Sequence, residues 1–234
     1  ANDALFVFAL LIVLSLTIIF AELEGGPAGG ASSKTVAVLG VLTAINASFR
    51  MLDVVTDVVL GGFSPVYFLV ILCGYVYGGR FGFLLGALSM LVGAILTGGV
   101  GPWLPYQMFG VGWVGLTAGW LPKERLRGAR GLRGRGQINA EIIALAAFGL
   151  LWGILYGAIL NLFFWPYATG GAGYWTPGMS LQDTVAQYAV FYATTSLWWD
   201  LGSAFGNAAI ILLYGAAVLK VLRRFQRRFY FETI

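Results

Sequence analysis

The sequence predicts an all-α, polytopic membrane helix bundle, and three observations predict it. Of its 234 residues, 59% are hydrophobic and only 10% are charged, whereas soluble domains carry about 25% charged residues. The apolar residues fall in runs long enough to cross a bilayer as helices, which takes about 20 residues at 1.5 Å each. Strong apolar–polar alternation, the signature of a transmembrane barrel, is missing from those runs. The 34 glycines suit such a bundle, because small residues let membrane helices approach closely.

The runs occupy residues 4–21, 36–60, 65–77, 81–97, 104–121, 138–165 and 197–222. They predict seven spanning helices, of which 65–77 is the short one and 4–21 the most detachable. The expected organisation is an extra N-terminal transmembrane helix and linker over residues 1–33, followed by a six-helix membrane domain over 34–234. No stretch reads as a separate soluble domain.

Lysine and arginine set the orientation. Lys34, Arg80, the cluster 123–135 and the tail 220–228 fall in alternate connections, so seven spans put them all on the cytoplasmic side. Arg50 alone, of the 14 basic residues, falls on the other side. The same topology puts every glutamate (Glu22, Glu24, Glu124, Glu141, Glu232) near the cytoplasm and every aspartate (Asp3, Asp53, Asp57, Asp183, Asp200) outside. The C-terminus is then cytoplasmic and the N-terminus external. Lys34 reaches the cytoplasmic side only if the segment 4–21 is retained rather than cleaved as a signal peptide.

Three connections face outward: the end of the second run through Ser64, the turn 98–106, and the stretch 166–196. The last is too long for a hairpin turn. Its second half, 180–196, is expected to form a helix over the opening, started by Ser180 with Asp183 three residues on.

Polar groups interrupt the apolar helices in a pattern. Asn46, Arg50, Asp53 and Asp57 lie at i, i+4, i+7 and i+11, and so do Ser196, Asp200, Ser203 and Asn207. That spacing keeps each set on one helical face, and polar faces within membrane helices point to a bundle interior or a water-filled cavity. Arg50 has two readings, a helix-surface pair with Asp53 at i, i+3 or a contact to a ligand carboxylate or phosphate. Trp103, Tyr106 and Gln107 open the fifth run, Asn161 and Trp165 close the sixth, and Trp198, Trp199 and Asp200 open the last. Aromatics beside amides and carboxylates at the outer ends of four helices suit a small-molecule site, largely apolar with a few placed polar groups.

Other function classes are disfavoured. Histidine is absent and Cys73 is the single cysteine, so the commonest metal ligand and the usual general base are missing; no metal or catalytic residue is expected. The arginine cluster lacks the soluble, aromatic-studded basic face of a nucleic-acid binder. The segment 29–35 (GGASSKT) lacks the glycine before lysine and the upstream strand of a phosphate-binding loop. An intramembrane enzyme pairing Asp53 with Asp200 is an alternative, as is a structural subunit without ligand.

Three segments carry a resemblance: 98–119 (GGVGPWLPYQMFGVGWVGLTAG), the small-residue helix 37–50, and 195–206 (TSLWWDLGSAFG). With them the chain resembles the substrate-binding S component of an energy-coupling factor (ECF) vitamin transporter, over about residues 34–228. The resemblance implies a non-enzymatic, six-helix vitamin binder that docks onto a transmembrane T protein carrying two ATPase subunits, which use the ATP; this chain holds no cofactor. It also implies that Gly40 and Ala44 match the docking motif, usually two alanines four residues apart. The expected substrate-binding residues are Asn46, Arg50, Asp53, Trp103, Tyr106, Gln107, Asn161, Trp165, Trp199, Asp200, Ser203 and Asn207. The resemblance does not fix the vitamin. The number of amide and aromatic groups ranks a cobalamin-like ligand first, with thiamine-like and flavin-like rings behind it.

Overall fold

The fold is that of a computed structural model, which describes residues 13, 17, 33–60, 64–123, 126, 135–167, 173–176 and 178–230, with side chains for all of these but 53–60, 135–139 and 229–230. In order the helices are α1 (Ser33–Leu60), α2 (Val66–Tyr77), α3 (Gly79–Thr97), α4 (Leu104–Ala118), α5 (Arg135–Phe164), α6 (Leu181–Thr195) and α7 (Leu197–Tyr230), with a 3-10 turn at Trp165–Tyr167. No strand occurs among the described residues. The protein is a helical membrane bundle.

Among the described residues, four helices are long and apolar enough to cross a bilayer: Ser33–Leu52 of α1, all of α3, Ala140–Tyr167 around α5, and Leu197–Arg228 of α7. Of the expected spans, α2 is short, as the sequence predicts, and α4 is shorter than its apolar run of 104–121. Their 12 and 15 residues reach about 18 and 22 Å, short of a hydrocarbon core of about 30 Å. The physical reason is burial. Every residue of α2 from Val66 to Val76 is buried, so its neighbours, not lipid, satisfy it. The run 4–21 lies outside the described residues apart from Val13 and Thr17, whose hydroxyl donates to the Val13 carbonyl at 2.7 Å.

Backbones meet where α2, α3 and α4 cross. A Cβ on Gly74 would overlap the Gly115 carbonyl, and one on Gly82 would lie 2.6 Å from the Gly74 Cα. Dispersion contacts at such separations replace the hydrophobic driving force that lipid removes. α3 then stops at Gly98, whose φ of +67° is left-handed and lets its N–H cap the last carbonyls.

The bundle has two chemically distinct ends. At one end the late part of α1 meets the end of α3, the start of α4, the end of α5 and the start of α7, around Arg50, Gln107, Asn161 and Asp200. At the other end Tyr77 donates to the Leu222 carbonyl at 3.1 Å, Gln226 to the Val76 carbonyl at 2.9 Å, and Tyr75 to Glu141 at 2.6 Å. These bonds tie the end of α2 to the start of α5 and the end of α7.

Candidate functional site

A cavity of about 540 Å3 opens at the first of these ends. Its wall takes Arg50 from α1, Tyr67 from α2, Met90 and Thr97 from α3, Trp103 and Gln107 at the start of α4, Tyr156, Gly157, Leu160 and Asn161 from α5, and Ser196, Trp199, Asp200 and Ser203 at the start of α7. Its size lies within the roughly 300–1,000 Å3 of small-molecule sites.

One side is built on Arg50. Its aliphatic stem crosses α3 over Gly93, where a Cβ would lie 3.1 Å from the Arg50 Cβ and closer still to its Cδ. Nη2 then donates to Gln107 Oε1 at 2.8 Å and Nη1 to Met90 Sδ at 3.1 Å. Gln107, which an apolar helix would leave wanting a partner, thus receives one from a helix 57 residues away in sequence. Asp53, the other expected partner of Arg50, has a side chain outside the described residues, so its place in the site lies there too.

The facing side is built on Asp200. Gly153 and Gly157, one turn apart on α5, let α7 approach: a Cβ on Gly153 would meet the Ala204 backbone, and one on Gly157 would overlap both carboxylate oxygens of Asp200. The carboxylate is seated in the notch that Gly157 leaves. Its Oδ2 is buried without a hydrogen-bond partner among the described residues. A buried acceptor left in that state is costly, typically about 1–3 kcal/mol.

Aromatic rings line the space between. Tyr67 and Tyr156 pack with ring centroids 5.0 Å apart at 59°. Trp103 folds over Gly101, donating to the Gly99 carbonyl at 3.2 Å. Trp199 remains half exposed on the rim.

α6 starts as the sequence predicts. Ser180 caps it, accepting from the Asp183 N–H at 3.1 Å. Its position differs from the expected cover over the opening, because no residue of α6 lines the cavity. It lies along α5 instead, where Tyr188 donates to the Ala158 carbonyl and Tyr192 to the Ile154 carbonyl at 3.3 Å. Burial, and then the nearby Asp200 carboxylate, push the Tyr188 phenol up to about 12. Burial, and then the neighbouring Asp200 carboxylate, raise Tyr192 further. Both stay protonated donors at ordinary pH.

Seven of the twelve expected residues therefore lie on one wall: Arg50, Trp103, Gln107, Asn161, Trp199, Asp200 and Ser203. Four others lie off it. Tyr106 stacks on Phe163 at 4.1 Å between α4 and α5. Trp165 is buried, donating to the Gly173 carbonyl at 2.8 Å with Tyr188 edge-on at 5.2 Å, so it anchors the loop. Asn46 and Asn207 sit a turn deeper, fully buried; Asn207 donates to the Ser203 carbonyl at 2.8 Å, while both Asn46 amide atoms lack a partner among the described residues. The residues that sequence reasoning missed are Tyr67, Met90, Tyr156 and the glycine pair. The spacing Gly153, Gly157, Asn161 at i, i+4, i+8 was a legible signal, a small-residue track ending in an amide.

Gly40 and Ala44 lie on the outer face of α1. Nothing comes within 4 Å of a Cβ built on Gly40. Ala37 and Ser48 extend the same exposed track of small residues, flanked by exposed Val41 and Ile45.

No curated protein and no solved structure matches the chain. Residues 30–170 match the family model of the ECF-type riboflavin transporter S component. That match spans α1 to α5 and with them most of the cavity wall, and the chain belongs to this family of substrate-binding membrane subunits.

Proposed function

We propose that the chain captures riboflavin, or a ring system of its size and polarity, in the cavity between Arg50 and Asp200 and hands it to an ATP-driven importer without itself catalysing a reaction. The observation that carries this reading is the polar set Arg50, Gln107, Asn161 and Asp200 on the wall of one cavity of small-molecule size. An isoalloxazine ring carries an imide N–H between two carbonyls, so one acceptor and several donors are the set it needs. Tyr67, Tyr156, Trp103 and Trp199 supply faces and edges for its rings. Arg50 then serves ligand through Gln107 and its remaining N–H groups. A cobalamin-like ligand fits less well: about 540 Å3 suits drug-sized molecules, and a corrinoid is far larger.

The cavity faces outward in this reading, and residues 1–33 form the extra helix beside the six-helix domain 34–234. The exposed track of Gly40 and Ala44 is the face that meets the T protein, which brings the two ATPase subunits. Small residues there admit a partner helix at close range.

Purification of the full chain in mild detergent tests the ligand. Bound flavin is identified by its visible absorbance and by mass spectrometry, and riboflavin titration is followed by quenching of its fluorescence. Quenching that saturates, and is lost in Asp200→Ala, is expected. Retention of a corrinoid instead, or no quenching at micromolar riboflavin, overturns the assignment. Gly40→Leu is expected to abolish co-purification with a T protein while leaving riboflavin binding intact.

A further inference from the structure

The end of the bundle opposite the ligand cavity holds a second groove of about 490 Å3, between the start of α5 and the last turns of α7. Its acidic member is already committed: Glu141, 2% exposed, accepts from the Tyr75 hydroxyl and pairs with Arg223. The outer rim is cationic. Lys220, Arg224 and Arg227 are exposed, and none makes an ion pair among the described residues. They follow one another at i, i+4 and i+7, on one helical face.

The same face continues toward the middle of α7 as an exposed apolar strip through Ala216, Leu213 and Ala209. From Ala209 to Lys220 the helix rises about 16 Å, against about 15 Å for the hydrocarbon of one leaflet. The strip thus turns from apolar to cationic where a leaflet meets its headgroups. A soluble anion would use only the rim, and an acidic protein segment would have no use for the strip beneath it.

We propose that this groove binds an anionic phospholipid of the leaflet at that end, its phosphate among Lys220, Arg224 and Arg227 and an acyl chain along Ala216, Leu213 and Ala209. Basic pockets beside transmembrane helices hold such headgroups by charge and by hydrogen bonds to phosphate oxygens. The site is separate from the riboflavin cavity and does not depend on that assignment.

The test uses the full chain in detergent, with phosphatidylglycerol and phosphatidylcholine offered in equal amounts and retained lipid read by native mass spectrometry. Phosphatidylglycerol is expected to be retained at least tenfold over phosphatidylcholine, each cation contributing about fivefold. Lys220→Gln/Arg224→Gln/Arg227→Gln should erase the preference while riboflavin titration and thermal melting stay as in the parent. Ala216→Trp, which fills the apolar strip without changing charge, should also lower retention. Equal retention of the two lipids, or a preference that survives the triple substitution, overturns the proposal. So does full competition by millimolar inorganic phosphate, which would make the rim a site for free anions. A triple variant that keeps its lipid but no longer assembles with the T protein and ATPases would assign the groove to a protein partner instead.

Discussion

Asp200 rests its carboxylate on Gly157, so that a residue with no side chain positions one of the two charged groups of the cavity wall. The pair joins α5 to α7 on the cavity wall. Neither residue can change alone without consequence for the other.

Gly157→Ala is expected to displace the Asp200 carboxylate and weaken riboflavin binding about tenfold or more, which corresponds to about 1.4 kcal/mol. Alanine is a better helix former than glycine, so helical content by circular dichroism should not fall. Unchanged affinity in this variant would mean that Asp200 does not touch the ligand.

The Arg50–Gln107 hydrogen bond, 2.8 Å long, lends itself to a double-mutant cycle. Arg50→Met and Gln107→Leu should each weaken binding, and the double variant should lose less than their sum, with a coupling of about 0.5–3 kcal/mol. Strict additivity would show that the two side chains act separately.

Trp165 separates wall from anchor. Trp165→Phe removes the indole bond to the Gly173 carbonyl and should lower stability by about 1 kcal/mol. Riboflavin affinity should stay within about twofold, since the ring lies off the cavity wall and a twofold change is under the about 1.4 kcal/mol of a tenfold one. A loss of affinity without loss of stability would return Trp165 to the ligand.

The tyrosines of α6 predict an alkaline limit. The Tyr188 phenol rises from its ordinary value of 10.0 to about 12 in the folded protein. Between those values the unfolded chain has released the proton while the folded one keeps it, so stability falls as pH rises through that window. Thermal melts between pH 9 and 11.5 should show a decline in the parent chain that is shallower in Tyr188→Phe. Parallel profiles would contradict the link.

At the other end, Glu141→Ala strips the Tyr75 hydroxyl of its acceptor and Arg223 of its counter-charge. A loss of about 1–3 kcal/mol is expected, limited by the water that reaches Arg223. Ligand affinity should be untouched, because the cavity lies at the opposite end. A melting curve and a riboflavin titration on the same preparation check both statements.

Much of this was legible in the residues. The low charge and long apolar runs determined a helical membrane protein, because lipid leaves backbone groups no partner except within a helix. Periodicity put Arg50 with Asn46, and Asp200 with Ser203 and Asn207, on single faces, and Ser180 announced the start of α6. Periodicity along one helix says nothing about what the face meets. Gln107 and Tyr106 are adjacent, yet one reaches Arg50 and the other stacks on Phe163. Trp103 and Trp165 both stand beside amides at helix ends, and only packing against Gly101 or under Gly173 divides wall from anchor. The sequence by itself determined which residues are polar, at what depth and on which face. The tertiary structure decided which of them share a cavity, because that depends on how far glycine lets neighbouring helices approach and turn.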